Sequence, residues 1–248
     1  MEEIMLIRSI LDFDGLPTEC IRCKRMGSYQ TRNICPPCYR DIPRIKSCCK
    51  RCGVPMAEPV AACGTCLTKP GEIDQSFIAC PYAPPLNLWL RGLKDLRNLK
   101  ALPTLQQLLL DRIAEQTNIC TGLRADLIIP IPIHWTRRWV RGYNQCEILA
   151  KAVATNLELP VNTRILQRSR RVVSQRGLNR KQRRQNQKNS FCIRQRYAAE
   201  IEGKDILLVE DILTTGATLD QASKALKKAG AKSILLVAVA RTIEPQGA

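Results

Sequence analysis

The sequence predicts an α/β fold, with a mostly parallel sheet domain preceded by a small cysteine-rich module. Two short apolar runs near the C-terminus, residues 206–209 and 233–240, read as strands covered on both faces, as in a parallel sheet. Between them Leu219, Ala222, Leu226 and Ala229 recur at helical spacing, and Gly230 is placed to cap that helix. The unit is β-loop-α-β, which places it in an α/β domain. Four Cys-x2-Cys pairs crowd residues 20–66 and define the module in front.

The module comes first in chain order. Cys20-x2-Cys23 is followed, after eleven residues, by Cys35-x2-Cys38. Cys49-x2-Cys52 is followed, after ten, by Cys63-x2-Cys66. A Cys-x2-Cys turn presents two thiolates to one ion, and two such turns complete a tetrahedral site. Sequential sites, 20/23/35/38 and 49/52/63/66, are the favoured pairing. The ten residues between Cys38 and Cys49 also admit a nested arrangement, and Cys48 stands beside Cys49 as a substitute. In a reducing compartment such thiolates bind zinc rather than oxidise; an iron–sulfur cluster is the alternative. Four thiolates leave no open position, so both zinc ions are structural. Gly53 and Gly64 sit where tight turns would point amides at sulfur. Few large apolar side chains occur in residues 17–70, so metal is expected to supply the folding energy, on the order of 10 kcal/mol per site. Cys80, Cys120, Cys146 and Cys192 stand alone and read as small buried hydrophobes.

Residues 71–80 read as a linker running into a strand. From Leu86 to Gln116 leucines recur at helical spacing, and Pro103 divides the stretch into two core helices. Asp126 to Ile133 is the next buried strand, strained by Pro130 and Pro132. It ends in a segment where Arg137 and Arg141 interleave with Trp135, Trp139 and Tyr143. Strand ends of a doubly wound sheet gather ligand loops. Arg137 and Arg141 are therefore candidate pyrophosphate contacts, since guanidinium forks match phosphate oxygens. The aromatic rings either stack on single-stranded bases or pack in the core. His134, the sole histidine, has no part in the metal sites, which the cysteines already complete.

Composition narrows the function. A length of 248 residues suffices for one sheet domain and a small module, and a 45% apolar fraction supports a core. No run approaches the roughly 18–20 apolar residues that span a membrane, so membrane insertion is not expected. Met1-Glu2-Glu3-Ile4 lacks the basic region of a signal peptide, and a cytoplasmic location is the expectation. Lys and Arg number 39 against 22 Asp and Glu, a net charge of +17. Val161–Ala199 holds twelve of these cations and no carboxylate. Such a segment is either a solvated loop or the footprint of a polyanion, nucleic acid before phosphorylated metabolites. Arg176, Arg180, Lys181, Arg183, Arg184 and Lys188 are its candidate nucleic-acid contacts. The stretch from Gln175 to Phe191 is polar enough for a mobile hood over a polyphosphate.

The densest chemistry follows residues 206–209. Glu210 and Asp211 stand at the end of the strand, and Thr214, Thr215, Gly216, Ala217 and Thr218 open the next helix. Two carboxylates there can hold ribose hydroxyls. Backbone amides at the helix N-terminus, helped by threonine hydroxyls, can cradle a 5′-phosphate. Gly216 lets backbone approach the ligand closely.

This segment resembles the 5-phosphoribosyl-1-pyrophosphate (PRPP) signature of type I phosphoribosyltransferases, with Glu210 where many members carry a first aspartate. Over nearly its whole length the chain resembles the ComF/GntX family. The landmarks are the four Cys-x2-Cys pairs, Pro132 with Arg137, Arg141-Gly142-Tyr143-Asn144-Gln145, and then Gln175, Leu178, Arg183, Asn186, Phe191 and Glu210–Thr218. The resemblance implies a double zinc-ribbon module over residues 1–70. A type I phosphoribosyltransferase-like (Rossmann-like) domain would follow over residues 71–248. It implies PRPP or a related phosphoribosyl ligand, with Mg2+ bridging pyrophosphate and ribose. It also implies a role in natural transformation, handling single-stranded DNA beside DNA-uptake helicase or recombination mediator proteins. The alternatives are an active phosphoribosyltransferase with another acceptor, and a non-catalytic zinc-ribbon adaptor.

Overall fold

The computed structural model describes residues 18–27, 33–95, 98–119, 124–168 and 190–243. Four strands form the central sheet: β3 (Gln75–Pro81), β4 (Leu127–Pro130), β7 (Asp205–Leu213) and β8 (Ser233–Arg241). Their order is β3-β8-β7-β4, and every neighbouring pair is parallel. Side chains alternate between two cores, as the two-residue period of a strand requires. Phe77, Ile128, Leu207, Val209, Val237 and Val239 face one core. Ile78, Ile129, Ile206, Leu208, Ile234 and Leu236 face the other. Burial on both faces accounts for the near-continuous apolar sequence of β7 and β8.

Helices α3 (Leu86–Asp95), α4 (Leu102–Ile119) and α6 (Gln145–Leu157) cover the first face. Helix α7 (Ala217–Lys228) covers the second, together with the antiparallel pair β5 (Leu166–Arg168) and β6 (Phe191–Ile193). The division of the leucine-rich stretch does not fall at Pro103. Helix α3 ends at Asp95, and Asn98 caps a 3-10 turn, Leu99–Ala101, by accepting from the Lys100 amide at 3.1 Å. Pro103 lies in the first turn of α4, where a missing N–H costs nothing. Strand β4 is also shorter than the sequence predicts. Pro130 and Pro132 have no amide to donate, so the strand ends at Pro130, with one further bond from the Ile131 amide to Val209 O at 3.0 Å.

In the module, β1 (Thr18–Glu19) pairs with β2 (Met26–Gly27), and short helices α1 (Pro36–Arg40) and α2 (Gly64–Thr68) follow Cys35 and Cys63. The module is not a separate bead. Ile34, Tyr39 and Ile42 are buried in the first core, and Ile45 in the second. Tyr39 Oη donates to Asp111 on α4 at 2.6 Å. The second half of the module lies along the open edge of β3. Ser76 donates its amide to Lys50 O at 2.6 Å and its hydroxyl to Arg51 O at 2.7 Å. An edge strand is thereby covered.

Candidate functional site

The cysteines gather as two sequential four-thiol clusters, Cys20/Cys23/Cys35/Cys38 and Cys49/Cys52/Cys63/Cys66. Tetrahedral zinc with Zn–S of about 2.3 Å sets its sulfurs about 3.8 Å apart. Cys20 and Cys23 each lie 3.7 Å from Cys35, Cys49 lies 3.9 Å from Cys66, and Cys52 lies 3.8 Å from Cys63. Both clusters therefore fit a structural zinc ion, and the nested pairing is excluded. Backbone amides do point at sulfur, from cysteines and from the turn residues Arg22, Arg51 and Val54. Cys35 N donates to Cys20 Sγ at 3.4 Å, and Cys63 N to Cys49 Sγ at 3.2 Å. Cys48 points away from the metal site, toward Arg112 Nη2 at 3.8 Å. Of the lone cysteines, Cys80 is buried among apolar side chains, Cys192 is exposed, and Cys120 lies outside the described residues.

Strand β7 runs on through the acid pair to Leu213, because β8 continues beside it to Arg241. Glu210 and Asp211 thus sit within the strand, just past the end of β4. Their carboxylates fold back on the chain: Asp211 N donates to Glu210 Oε1 at 3.1 Å, and Ile212 N to Asp211 Oδ1 at 2.8 Å. Beyond them Thr214 and Thr215 are exposed, and Gly216 takes the left-handed conformation, φ +77°, that turns the chain into α7. No side chain at position 216 caps this helix. The Thr215 hydroxyl accepts from the Ala217 amide at 3.4 Å, and a helix N-terminus with its positive dipole end beside threonine hydroxyls is suited to a phosphate.

The acid pair is wired to the Arg141–Gln145 motif. Gly142, at φ +87°, ends helix α5 (Trp135–Arg141), and the Asn144 side chain caps α6 by accepting from the Cys146 amide at 3.1 Å. This corner aims Gln145 at the sheet, where its Nε2 donates to Asp211 Oδ2 at 3.1 Å. Arg141 in turn donates to Gln145 Oε1. Lys94, from the last turn of α3, reaches the same Asp211 oxygen at 2.6 Å. Asp211 is 2% exposed, and burial alone would raise its pKa. The Lys94 ammonium, with hydrogen bonds from Glu210 and Gln145, outweighs burial and holds the carboxyl below its ordinary value. Glu210 goes the other way. Burial, then the adjacent Asp211 charge, push it up to about 8. Cys146 Sγ donates to Glu210 Oε1 at 3.1 Å, and burial beside that carboxylate raises its thiol well above the usual range. Cys146 is buried as predicted, but against an acid rather than apolar neighbours. Cys146, Glu210 and Asp211 form a third cluster of possible ligands. It does not suit magnesium, since a thiol is a poor ligand for a hard cation and Lys94 already balances Asp211.

Arg137 is exposed on α5, and Arg141 is partly buried. Arg168, at the end of β5, is a site residue the sequence did not mark. Its guanidinium lies over the Phe191 ring, 5.4 Å from the centroid. Burial and then the Arg137 charge depress its pKa, while Glu210 opposes them, so the three groups share one field. Trp135 and Trp139 are 55% and 88% exposed, which rules out core packing for both rings. Tyr143 is partly buried and donates to Leu93 O. His134 caps α5 by accepting from the Thr136 amide. Arg176, Arg180, Lys181, Arg183, Arg184 and Lys188 lie outside the described residues.

Comparison with known proteins agrees with this geometry. Residues 15–67 match the double zinc ribbon domain, and residues 144–247 match the phosphoribosyl transferase domain. The chain is 30% identical over 229 residues to DNA utilization protein YhgH of Salmonella typhimurium, covering 92% of this chain and 99% of the relative. It is 31% identical over 222 residues to Competence protein F of Haemophilus influenzae, covering 90% and 96%. Among solved structures it is similar to a glutamine PRPP amidotransferase from B. subtilis complexed with ADP and GMP, at TM-score 0.36 and 19% identity. That likeness covers 53% of this chain and spans only 24% of the other. Fold and matched domains together define a phosphoribosyltransferase-like protein carrying a double zinc ribbon. Likeness to YhgH and Competence protein F along almost the entire chain sets it more narrowly: it belongs to the ComF/GntX family. No helix among the described residues is long and apolar enough to cross a membrane.

Proposed function

We propose that the chain binds PRPP or a related phosphoribosyl ligand and handles single-stranded DNA in the cytoplasm during DNA uptake. Residues 1–70 act as the zinc module and 71–248 as the ligand-binding domain. Glu210 and Asp211 hold the ribose hydroxyls, and residues 214–218 hold the 5′-phosphate. Arg137, Arg141 and Arg168 meet the pyrophosphate, with Mg2+ arriving on the ligand. The basic residues from Arg176 to Lys188, with Trp135 and Trp139, engage the DNA strand. DNA-uptake helicase or recombination mediator proteins are the expected partners. The observation that carries the reading is an acid pair joined, through residues 212–215, to a left-handed glycine that opens a helix. The names of the relatives support the DNA role.

Calorimetry with PRPP and magnesium tests it, on the wild type and on a Glu210→Ala/Asp211→Ala variant, each with and without a short single strand. Binding by the wild type and its loss in the variant are expected. No heat from folded, zinc-loaded wild type would remove PRPP as the ligand. A second reading, transferase turnover on another acceptor, is favoured by Glu210. A carboxyl held near pKa 8 exchanges protons at neutral pH, as an acid–base catalyst must. Pyrophosphate release above the rate of PRPP hydrolysis, when candidate acceptors are added, decides that question.

A further inference from the structure

The loop that opens α7 has two sides. One leads back along β7 to Glu210 and Asp211. The other forms the floor of a cavity of about 950 Å3, of which neither acid is a wall. The opposite wall is the second zinc ribbon, which contributes Arg51 and Lys69. Arg241 of β8 and Lys224 of α7 also line it, so four cations stand against two carboxylates, Glu72 and Asp220. Lys224 is paired with Asp220 at 2.7 Å. Arg241 donates to Cys52 O at 2.6 Å, and its buried Nε has no partner among the described residues. Val54, Met56 and Ile73 supply apolar surface.

A mononucleotide-like ligand ends at its 5′-phosphate and would leave this space unused. The volume is at the upper end of the roughly 300–1,000 Å3 of small-molecule pockets, far more than one phosphate requires. A nucleic-acid strand does not end there. The 5′-phosphate of its 3′-terminal nucleotide is a diester, which continues into the preceding nucleotide. We propose that the site receives the 3′ end of a single-stranded DNA. The terminal sugar hydroxyl lies at the acid pair, its 5′-phosphate on residues 214–217, and the preceding phosphodiesters run through the cavity past Arg51, Lys69 and Arg241. Bases rest on the apolar wall, as in other single-strand grooves. This inference rests on the phosphoribosyl reading of the loop and joins it to the DNA reading at one place.

The test uses the full, zinc-loaded chain and a short, 5′-fluorescent single strand, followed by anisotropy at fixed salt. A strand with a free 3′-hydroxyl should bind about tenfold more tightly than the same strand bearing a 3′-phosphate, whose charge and bulk would be added beside the buried Asp211 carboxylate. PRPP with magnesium should displace the free-hydroxyl strand. Arg51→Ala/Lys69→Ala should abolish the preference and lower the salt dependence by the share of two phosphate contacts. Calorimetric PRPP affinity should stay within about twofold in that variant, since the loop and acid pair are untouched. Equal binding of the two strands by wild type overturns the inference even where PRPP binds. Failure of PRPP to bind overturns the phosphoribosyl reading instead, because the 3′-end preference is read without it. Should the double variant misfold, the comparison of the two strands on wild type still decides.

Discussion

Two adjacent carboxylates in the site are driven to opposite protonation states, and each has a measurable consequence. Glu210 sits near pKa 8 in the fold, against about 4.3 in an unfolded chain. Between about pH 5 and 8 the native state keeps a proton that the unfolded state has lost. Stability therefore falls as pH rises through that window and levels off above it. Glu210→Gln, neutral in both states, should flatten this slope in urea melts taken from pH 5 to 9. Asp211 has the opposite sign: its contribution is present above the unfolded carboxyl pKa and is lost as pH falls toward the lower folded value. Lys94→Met would leave Asp211 buried without its cation, at a cost of about 3 kcal/mol. Lys94→Met/Asp211→Asn should recover most of that loss. A loss below about 0.5 kcal/mol for the single change would mean that water replaces the ammonium. The sequence displayed Glu210, Asp211 and the Arg141–Gln145 motif plainly. It gave no sign of Lys94 or Arg168, because a lysine on one helix and an arginine on a short strand acquire meaning only when the sheet brings them to β7. Gln145 was legible as a family landmark, but its bond to Asp211 was not.

Elements were legible wherever period and punctuation agreed. Helix α7 and strand β8 fall where helical spacing, Gly230 and the apolar run put them, whereas β7 runs past its apolar run, through the acid pair, to Leu213. The sequence misplaced boundaries where proline has two meanings. Pro103 reads as a breaker but starts α4, while Pro130 reads as strain within a strand but ends β4. Glycine shows a similar divide in the second ribbon. Gly53 and Gly64 look alike beside their cysteines, yet only Gly53 is at positive φ, +68°. A Cβ there would meet Ile78 Cγ1 at 2.3 Å, and that atom is fixed in the core of β3. At Gly64 a Cβ would meet no atom of the described residues within 4 Å, and the residue is the first of α2. Gly53→Ala should therefore cost at least about 2 kcal/mol, from overpacking and the left-handed backbone together. Gly64→Ala should be neutral within about 0.5 kcal/mol. Thermal melts of the two variants check the contrast, and equal melting temperatures would show that the ribbon shifts away from β3 without penalty.

For the molecule as a whole, the consequence lies in how the ribbons are attached. Their sparse apolar residues suggested a module that metal alone would hold together. Those few residues instead complete the cores of the sheet domain: Ile34, Tyr39 and Ile42 beneath α4, and Ile45 on the other face. Sequence could not foresee this, since sparse hydrophobicity does not say which neighbour will cover it. Metal and sheet are therefore expected to unfold as one cooperative system. A structural four-cysteine site supplies an apparent binding energy on the order of 10 kcal/mol. A domain's whole stability is about 5–15 kcal/mol. Removing zinc should thus destabilise the sheet domain as well as the ribbons. The first ribbon anchors α4 through Tyr39 and Asp111, and the second covers β3 through Lys50 and Arg51 and is tied to β8 through Arg241. Amide exchange on the full chain, before and after chelation, should show protection lost in β3 and α4 together with the cysteine turns, while β7, paired on both sides, is the last to open. Loss confined to residues 18–69 would instead make the ribbons an independent unit. Since the second ribbon also walls the cavity beside residues 214–217, cooperative loss would carry a corollary: chelation would disrupt the surroundings of that loop without touching the loop itself.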